Sequence, residues 1–186
     1  MAKVFRAAEM MSEDVQSYVI SCQYQANSVD APIEDGAFVK LGELKDDKTY
    51  VAAGDKDYNV YLAAAPTAVT DEVVVIDYPG VSEGTISGNS YRLGVKLFDL
   101  VAPAGRPVRA RRLALGDRFW LGKDNFNGDV VVGNIAGLEA NKTTLKDSGK
   151  QTITEGQLNV KIHLGKDFNY GQSASGKLYL CEVVGL

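Results

Sequence analysis

One histidine, two cysteines and several groups of acids are the residues of this chain whose types could support a reaction. A catalytic histidine needs an orienting carboxylate and a nucleophile within reach, and the sequence contains no GxSxG or comparable nucleophile signature. His163 alternates with Asn159 and Lys161, a spacing that indicates the polar face of a strand. We therefore interpret it as exposed and structurally idle, and the sequence predicts no catalytic residue and no enzyme.

Metal and cofactor chemistry lack the residues that they need. Cys22 and Cys181 lie near opposite ends of the chain, outside any CxxC pair. Two free, buried thiols in a reducing compartment are the preferred interpretation, and a bond joining them is the alternative. Residues 55–57, Asp-Lys-Asp, lack the central glycine and final glutamate of a calcium loop. Residues 133–137 lack the lysine and hydroxyl of a P-loop. We expect neither a metal nor a cofactor.

Arginine is concentrated in one stretch, which also leads to the single tryptophan, Trp120. The group consists of Arg106, Arg109, Arg111 and Arg112. By default such a group is a solvated face paired with acids, here Asp99 and Asp117. It can also be a docking surface for an acidic partner, because a guanidinium group can form two parallel hydrogen bonds to one carboxylate. A nucleic-acid patch is the weakest interpretation, because the net charge of the chain is −4.

The elements that must position these residues read as strands. Residues 91–97 alternate apolar and polar, and residues 157–164 do the same with Leu158, Val160, Ile162 and Leu164 on the apolar side. Residues 72–76, EVVVI, are apolar on both faces, which predicts a central strand. Turn signals recur about every ten residues. We predict an all-β fold, mainly antiparallel, as a sandwich or barrel with at most one or two short helices.

The organisation along the chain is predicted to be simple. Residues 1–16 have the apolar spacing of an N-terminal arm or one short amphipathic helix, and residues 136–145 are the second helix candidate. Residues 17–186 form the β-rich domain, and a change of rhythm at 123–141 suggests that it divides there into two lobes. No signal peptide or membrane span is recognisable, so we expect a soluble protein made in a cytoplasm.

Two stretches carry a resemblance to a known class of protein. They are residues 30–44, DAPIEDGAFVKLGEL, and residues 94–126, GVKLFDLVAPAGRPVRARRLALGDRFWLGKDNF. In layout they resemble the small capsid decoration, or cement, proteins of tailed bacteriophages, with a glycine turn before a short strand and then a Leu-Gly-Asp strand pair. The positions that match are Gly36, Val39, Leu41, Leu115, Gly116, Asp117, Phe119 and Leu121.

The resemblance implies a virion structural protein that binds the outer surface of the major capsid protein shell and stabilises it. Such a protein is made in the bacterial cytoplasm, is located on the capsid surface, and acts alone or as a small homo-oligomer such as a trimer. It binds neither nucleic acid nor membrane. The arm, the arginine group and Trp120 are then the expected capsid contacts, with Val4, Phe5, Arg6, Arg106, Arg109, Arg111, Arg112 and Trp120 as the candidate residues.

Two alternatives remain at this point. The first is a tail or fibre module that recognises a receptor or carbohydrate by stacking on aromatic side chains, for which the candidates are Tyr50, Tyr58, Tyr61, Tyr78, Tyr91 and Trp120. The second is a hydrolase, which has little support because no catalytic constellation is visible.

Overall fold

The computed structural model describes residues 3, 5–11, 15, 18–45, 60–78, 83–86, 89–92, 101–169 and 175–186. The strands of the first half are β1 (Phe5–Glu9), β2 (Val19–Ala26), β3 (Val29–Asp30), β4 (Ile33–Glu34), β5 (Phe38–Leu44), β6 (Val60–Ala64), β7 (Val73–Ile76) and β8 (Glu83–Ile86). Those of the second half are β9 (Asn89–Arg92), β10 (Val101–Ala102), β11 (Val108–Arg112), β12 (Arg118–Gly122), β13 (Ile135–Leu138), β14 (Leu145–Lys150), β15 (Asn159–Asn169) and β16 (Ser175–Gly185). A 3-10 turn lies at Lys123–Asn125. The predicted all-β, mainly antiparallel fold is confirmed.

The first large sheet closes into a small barrel. Its strand order is β11-β7-β5-β6-β2-β3, and β11 also pairs with β2, so five strands form a ring with β3 attached outside it. The β2–β6 pair is parallel and the other pairs of the ring are antiparallel. Closure leaves the strands of the ring without an open edge. We call this sheet the barrel.

The second large sheet is open and fully antiparallel, with the order β1-β12-β16-β15-β13-β14. We call it the flat sheet. It packs against strands β5 and β7 of the barrel, which alternate their side chains between two cores. Phe38 and Val75 enter the core between the sheets, whereas Val39 and Val74 enter the barrel. This double duty explains why all four residues of β7 are buried, as the run at 72–76 predicted.

Aromatic rings join the two sheets. The ring of Phe119 on β12 lies 5.5 Å from that of Phe5 on β1 and 6.5 Å from that of Phe38 on β5, measured between centroids. All three side chains are buried. Tilted aromatic pairs at these distances stabilise a core beyond the area that they bury. The N-terminal strand is therefore part of the main core.

The helix interpretation of residues 1–16 is wrong for Phe5–Glu9, which form an edge strand paired with β12. Phe5 is buried and Ala7 partly buried, so alternate positions of β1 face the core and a period of two prevails. After the strand, the Val15 N–H donates a helical hydrogen bond to the Met11 carbonyl. A short apolar segment gains more by completing a sheet than as an isolated helix, which is marginal at this length.

The second predicted helix, at 136–145, is also wrong. Strand β13 ends at Leu138, a turn follows with Asn141 at φ 61°, and β14 begins at Leu145. Asparagine tolerates this left-handed backbone better than most residues, so the Asn and Thr residues mark a hairpin. The segment 123–141 does not separate two sheets, because β12 and β13 both belong to the flat sheet. The chain passes from the barrel to the flat sheet at residues 113–117, between β11 and β12.

A β-bulge in β15 overturns one predicted core position. Val160 and Ile162 are buried, as the alternation predicted, but the register with β16 shifts between Ile162 and Leu164. The extra residue, His163, sends Leu164 to the outward face, where it is 41% exposed. The apolar face predicted for 157–164 therefore ends at Ile162. Of the predicted strand at 91–97, residues 93–97 lie outside the described residues.

Candidate interaction surfaces

Strand β11 separates its apolar and basic residues by simple alternation. Val108 and Ala110 point into the barrel, where they are buried with Cys22 of the neighbouring β2. Arg109 and Arg111 point to the other face of the strand. The interior of a five-stranded barrel admits only small or branched side chains, so the long guanidinium chains must lie outside.

Both of these arginines bind the same carboxylate. Asp77 follows the last residue of β7, and its Oδ2 lies 2.8 Å from Arg109 Nη2 and 2.6 Å from Arg111 Nε. The Arg109 side chain is 43% exposed and the Arg111 side chain only 11%, so one guanidinium faces solvent and the other lies beneath it. Two positive charges sharing one carboxylate leave a local excess of positive charge.

Arg106 extends this positive surface. Its guanidinium carbon lies 5.8 Å from the ring centroid of Tyr78, the residue that follows Asp77. Arg106 is exposed and Tyr78 half-buried, a cation–π arrangement that holds the guanidinium at the surface. We call Arg106, Arg109 and Arg111, with Asp77 and Tyr78, the arginine cluster. Arg112 belongs elsewhere, because its Nη1 pairs with Glu72 Oε1 at 3.1 Å at the opposite end of β7.

A buried carboxyl group, Asp35, supports the arginine cluster from below. Its Oδ1 accepts a hydrogen bond from the Tyr78 N–H, and its Oδ2 accepts one from the Phe5 N–H, both at 2.9 Å. Asp35 thus ties the N-terminal strand to the residue beneath Arg106. Burial raises the pKa of Asp35 to about 7, the Asp77 charge acts in the same direction, and the backbone N–H groups of Phe5, Tyr78 and Gly36 oppose the shift.

The turn after Asp35 requires glycine. Gly36 has φ 71°, and a Cβ at this position would lie 2.5 Å from Asn125 Nδ2 and 3.2 Å from Phe5 Cβ. Asn125 itself donates from Nδ2 to the Asp35 carbonyl at 2.9 Å. The close approach of the barrel turn to the 3-10 turn therefore depends on the missing side chain.

The outward face of the flat sheet carries a second surface. Phe119 and Leu121 of β12 are fully buried, so Trp120 between them faces outward. In the register Trp120 lies opposite Leu180 of β16, and Leu180 lies opposite Leu164 of β15. Directly opposed residues share a face, so these three side chains form one line across three strands. We call Trp120, Leu180 and Leu164 the tryptophan row.

The neighbouring line of residues on the same face alternates in charge. Glu9 of β1 lies opposite Arg118 of β12, Arg118 opposite Glu182 of β16, and Glu182 opposite Lys161 of β15. Arg118 bridges its two acidic neighbours, with Nη1 3.1 Å from Glu9 Oε2 and Nε 3.3 Å from Glu182 Oε2. We call Glu9, Arg118, Glu182 and Lys161 the charge row; from edge to centre its signs are minus, plus, minus, plus.

His163 is not idle. The bulge turns it toward the charge row, where its Nε2 lies 2.6 Å from Glu182 Oε2. Partial burial acts to raise the pKa of Glu182, but the hydrogen bond with His163 and the charge of Arg118 outweigh it, so the pKa lies below its ordinary range. His163 has its orienting carboxylate, yet the contact belongs to an exposed sheet face rather than to an enclosed site.

The candidate contact residues divide among several environments. Phe5 is buried in the core, which excludes it as a direct capsid contact. The Arg111 side chain is nearly buried. Val4 and the Arg6 side chain lie outside the described residues. Arg106 and Arg109 remain available on the barrel. Trp120 lies on the outward face of the other sheet, so the structure does not unite it with the arginines.

The default pairing of the arginines with acids was right in kind, but the acids differ. Asp77 and Glu72 take this role. Asp117 instead accepts hydrogen bonds from the Ala114 and Met11 N–H groups, which closes the β11–β12 turn, and Asp99 lies outside the described residues. The sequence could have identified Asp77 as the acid that pairs with the arginines, because it directly follows the buried run EVVVI at residues 72–76.

Two neighbouring acids, Asp71 and Glu72, line a cleft of about 370 Å³ between the start of β7 and the segment before β15. Asp71 there accepts hydrogen bonds from the Thr67 and Ala68 N–H groups. The ion pair with Lys40 and these donors hold the pKa of Asp71 far below its usual range. Its neighbour Glu72 pairs with Arg112. Asp71 therefore acts as a turn cap and is unsuited to donate a proton near neutral pH.

The remaining reactive groups lie inside the protein. Cys22 and Cys181 are free and buried, one in each core, and burial raises the pKa of both thiols, that of Cys22 to about 12. Within the described residues no group of acids, histidines or cysteines is arranged to hold a metal ion. The same part of the chain has no helix long and apolar enough to cross a bilayer.

The aromatic candidates of the carbohydrate interpretation are dispersed where the structure describes them. Tyr61 and Tyr78 pack against the barrel core, whereas Trp120 lies on the flat sheet. Tyr50, Tyr58 and the Tyr91 side chain lie outside the described residues. No family model, curated protein or solved structure matches this chain.

Proposed function

We propose that this protein is a non-catalytic structural component of a tailed-phage virion, which binds the outer surface of the capsid shell and stabilises it. The observation that carries the proposal is the arginine cluster, a positive surface on a chain whose net charge is −4. It matches the expected partner, a shell of major capsid protein presenting acidic side chains. The layout of the chain over residues 30–44 and 94–126 also resembles that of decoration proteins.

The cluster has the two layers that a docking surface needs. Arg106, Arg109 and the half-buried Tyr78 form the exposed layer, and arginine and tyrosine are residue types enriched at interface centres. Arg111, Asp77 and Asp35 form the buried layer. Because the buried layer fixes the backbone and the guanidinium groups above it, the exposed layer loses little conformational entropy when a partner binds.

A shell also compensates for a modest contact. One cluster offers two exposed guanidinium groups, and exposed ion pairs each contribute at most about 1 kcal/mol. A shell repeats its binding site over the whole lattice, and linked copies of a decorating protein bind such a lattice with far higher avidity than one site gives. The proposed role therefore needs no deep pocket.

The test is co-sedimentation with expanded, empty heads assembled from the major capsid protein of the virion to which the proposal assigns this chain. We expect the wild type to sediment with the heads, and Arg106→Glu to reduce the bound fraction at least about tenfold at low salt. Arg106 is exposed and stacks only its guanidinium on Tyr78, so its reversal leaves the core intact.

Lys142→Glu is the matched control. It makes the same change of charge at an exposed residue of the β13–β14 turn in the other sheet, and its binding should equal that of the wild type. Equal losses for both variants would reduce the effect to net charge and remove the cluster from the proposal. No sedimentation of the wild type with any shell, together with binding on a glycan array, would favour the tail or fibre alternative.

A further inference from the structure

The outward face of the flat sheet combines an exposed apolar line with a line of alternating charge. Leu164 is 41% exposed, and Trp120 and Leu180 are partly exposed. The ion pairs beside them are also open to solvent, with Glu9 at 74% and Arg118 at 47% side-chain exposure. Aromatic and aliphatic anchors beside a charged rim are typical of protein interfaces. From the order of its charges we infer that this face docks onto the same face of a second copy of the chain.

The charge row is complementary to itself when it is reversed. In a face-to-face pair, a two-fold axis parallel to the strands, between β12 and β16, reverses the order of the strands. Glu9 then faces Lys161 of the second copy, and Arg118 faces Glu182 of the second copy. Every contact pairs opposite charges and occurs twice, as a closed two-fold interface requires. A row of uniform sign, or of signs symmetric about its centre, would place like charges together.

The same operation matches the apolar residues. Trp120 of each copy faces Leu180 of the other, so the two tryptophans lie on either side of the axis. Two sheets packed face to face lie about 10 Å apart with their strands nearly aligned, which is the arrangement that this axis produces. The flat sheet would then be covered on both faces, by the barrel within the chain and by the second copy outside.

The size of the face sets the strength of the dimer. Four strands about 4.8 Å apart and three outward residues about 6.8 Å apart along each measure roughly 19 by 20 Å, or about 400 Å² per copy. Two such faces bury less than most specific interfaces, so we expect a weak dimer with a dissociation constant in the high micromolar range. The inference is independent of the capsid proposal, because the arginine cluster lies on the barrel.

The test uses two opposite charge reversals, Arg118→Glu and Glu182→Arg. Each variant alone places like charges across the axis, so sedimentation equilibrium from about 1 to 500 μM should show each as a monomer while the wild type dimerises. In a one-to-one mixture, the new glutamate of one variant faces the new arginine of the other, and the remaining pair is the native one. Mixing should therefore restore dimerisation.

Tryptophan fluorescence of the wild type provides a readout of dimerisation that does not depend on any substitution. Trp120 is the single tryptophan, so its emission should shift to the blue over the same concentration range in which the mass doubles. Lys142→Glu serves as the charge control and should dimerise normally. A wild type that stays monomeric or forms trimers, variants that dimerise alone, or a mixture that stays monomeric would each overturn the inference.

Discussion

The arginine cluster and the face formed by the charge row and the tryptophan row are both made of ion pairs next to aromatic side chains, but they relate to the fold in opposite ways. In the cluster the central acid, Asp77, has a side chain only 12% exposed, and Asp35 below it is buried. In the charge row the bridging Arg118 is 47% exposed. The exposed arginines of the cluster therefore depend on buried carboxyl groups, whereas the side chains of the charge row lie on the solvent side of a sheet whose core is packed without them.

This difference separates structural from available side chains. A buried carboxylate that holds two chain segments, as Asp35 holds Phe5 and Tyr78, cannot change without disturbing the fold. Residues of the rows lie above a core that Phe119 and Ile162 already fill. Substitutions in the rows should therefore alter association while leaving stability nearly intact, and those beneath the cluster should alter stability first.

The largest effect that distinguishes the two regions is a dependence of stability on pH that originates at Asp35. Its pKa is about 7 in the folded protein, against an ordinary value of 3.8. The folded state therefore binds the proton more tightly, so the stability from Asp35 is fully present below about pH 4 and is lost as the pH rises through 7. We expect the free energy of unfolding to fall by up to about 4 kcal/mol over this range.

Urea denaturation at pH 5 and pH 8 measures the part of this change that lies above pH 5, roughly 2.5 kcal/mol, and Asp35→Asn is its control. The amide does not titrate, so the variant should lose most of the slope. It should also be less stable than the wild type at pH 5, by about 1–3 kcal/mol, because its NH₂ group cannot accept from one of the two backbone donors. A slope equal to that of the wild type would assign the pH dependence to other groups.

The next effect compares the two faces of β15, two residues apart. Ile162→Ala should destabilise the protein by about 2–4 kcal/mol, because it leaves a cavity in the core between the sheets. Leu164→Ala should cost less than about 1 kcal/mol, because the bulge places Leu164 on the outward face. Thermal and chemical denaturation of both variants check the pair, and similar losses would mean that Leu164 is packed in a core.

The same two residues show how far sequence predicts this fold. Alternation identified the strands and their buried faces up to Ile162, because side-chain period is a local property. The bulge is set by pairing with β16, whose register no local pattern reveals. The helix prediction for residues 1–16 was wrong for a related reason. The apolar spacing suited a helix, but Phe5–Glu9 form a strand because they pair with β12, which lies more than 100 residues further along the chain.

The surfaces were predictable in part. The sequence identified the arginines and Trp120, since residue types and local charge density are visible in it. It joined them into one contact region, because it could not show that β11 and β12 belong to different sheets. The charge row could not be predicted from the sequence for the same reason. Its four residues come from four strands, and only the register of those strands brings them together.

The smallest effect is the most direct comparison of the two regions, with one isosteric change in each. Asp77→Asn should cost about 2 kcal/mol, because it removes a carboxylate that pairs with Arg111, whose side chain is only 11% exposed. Glu182→Gln should cost less than about 1 kcal/mol, because Arg118 is open to water. Denaturation at low protein concentration, where association contributes nothing, measures both. Equal losses would mean that the charge row is as deeply committed to the fold as the cluster. A small loss for Glu182→Gln would show that the fold does not depend on this charge, so a loss of dimerisation in the charge-reversal variants could then be assigned to the contact between copies rather than to unfolding.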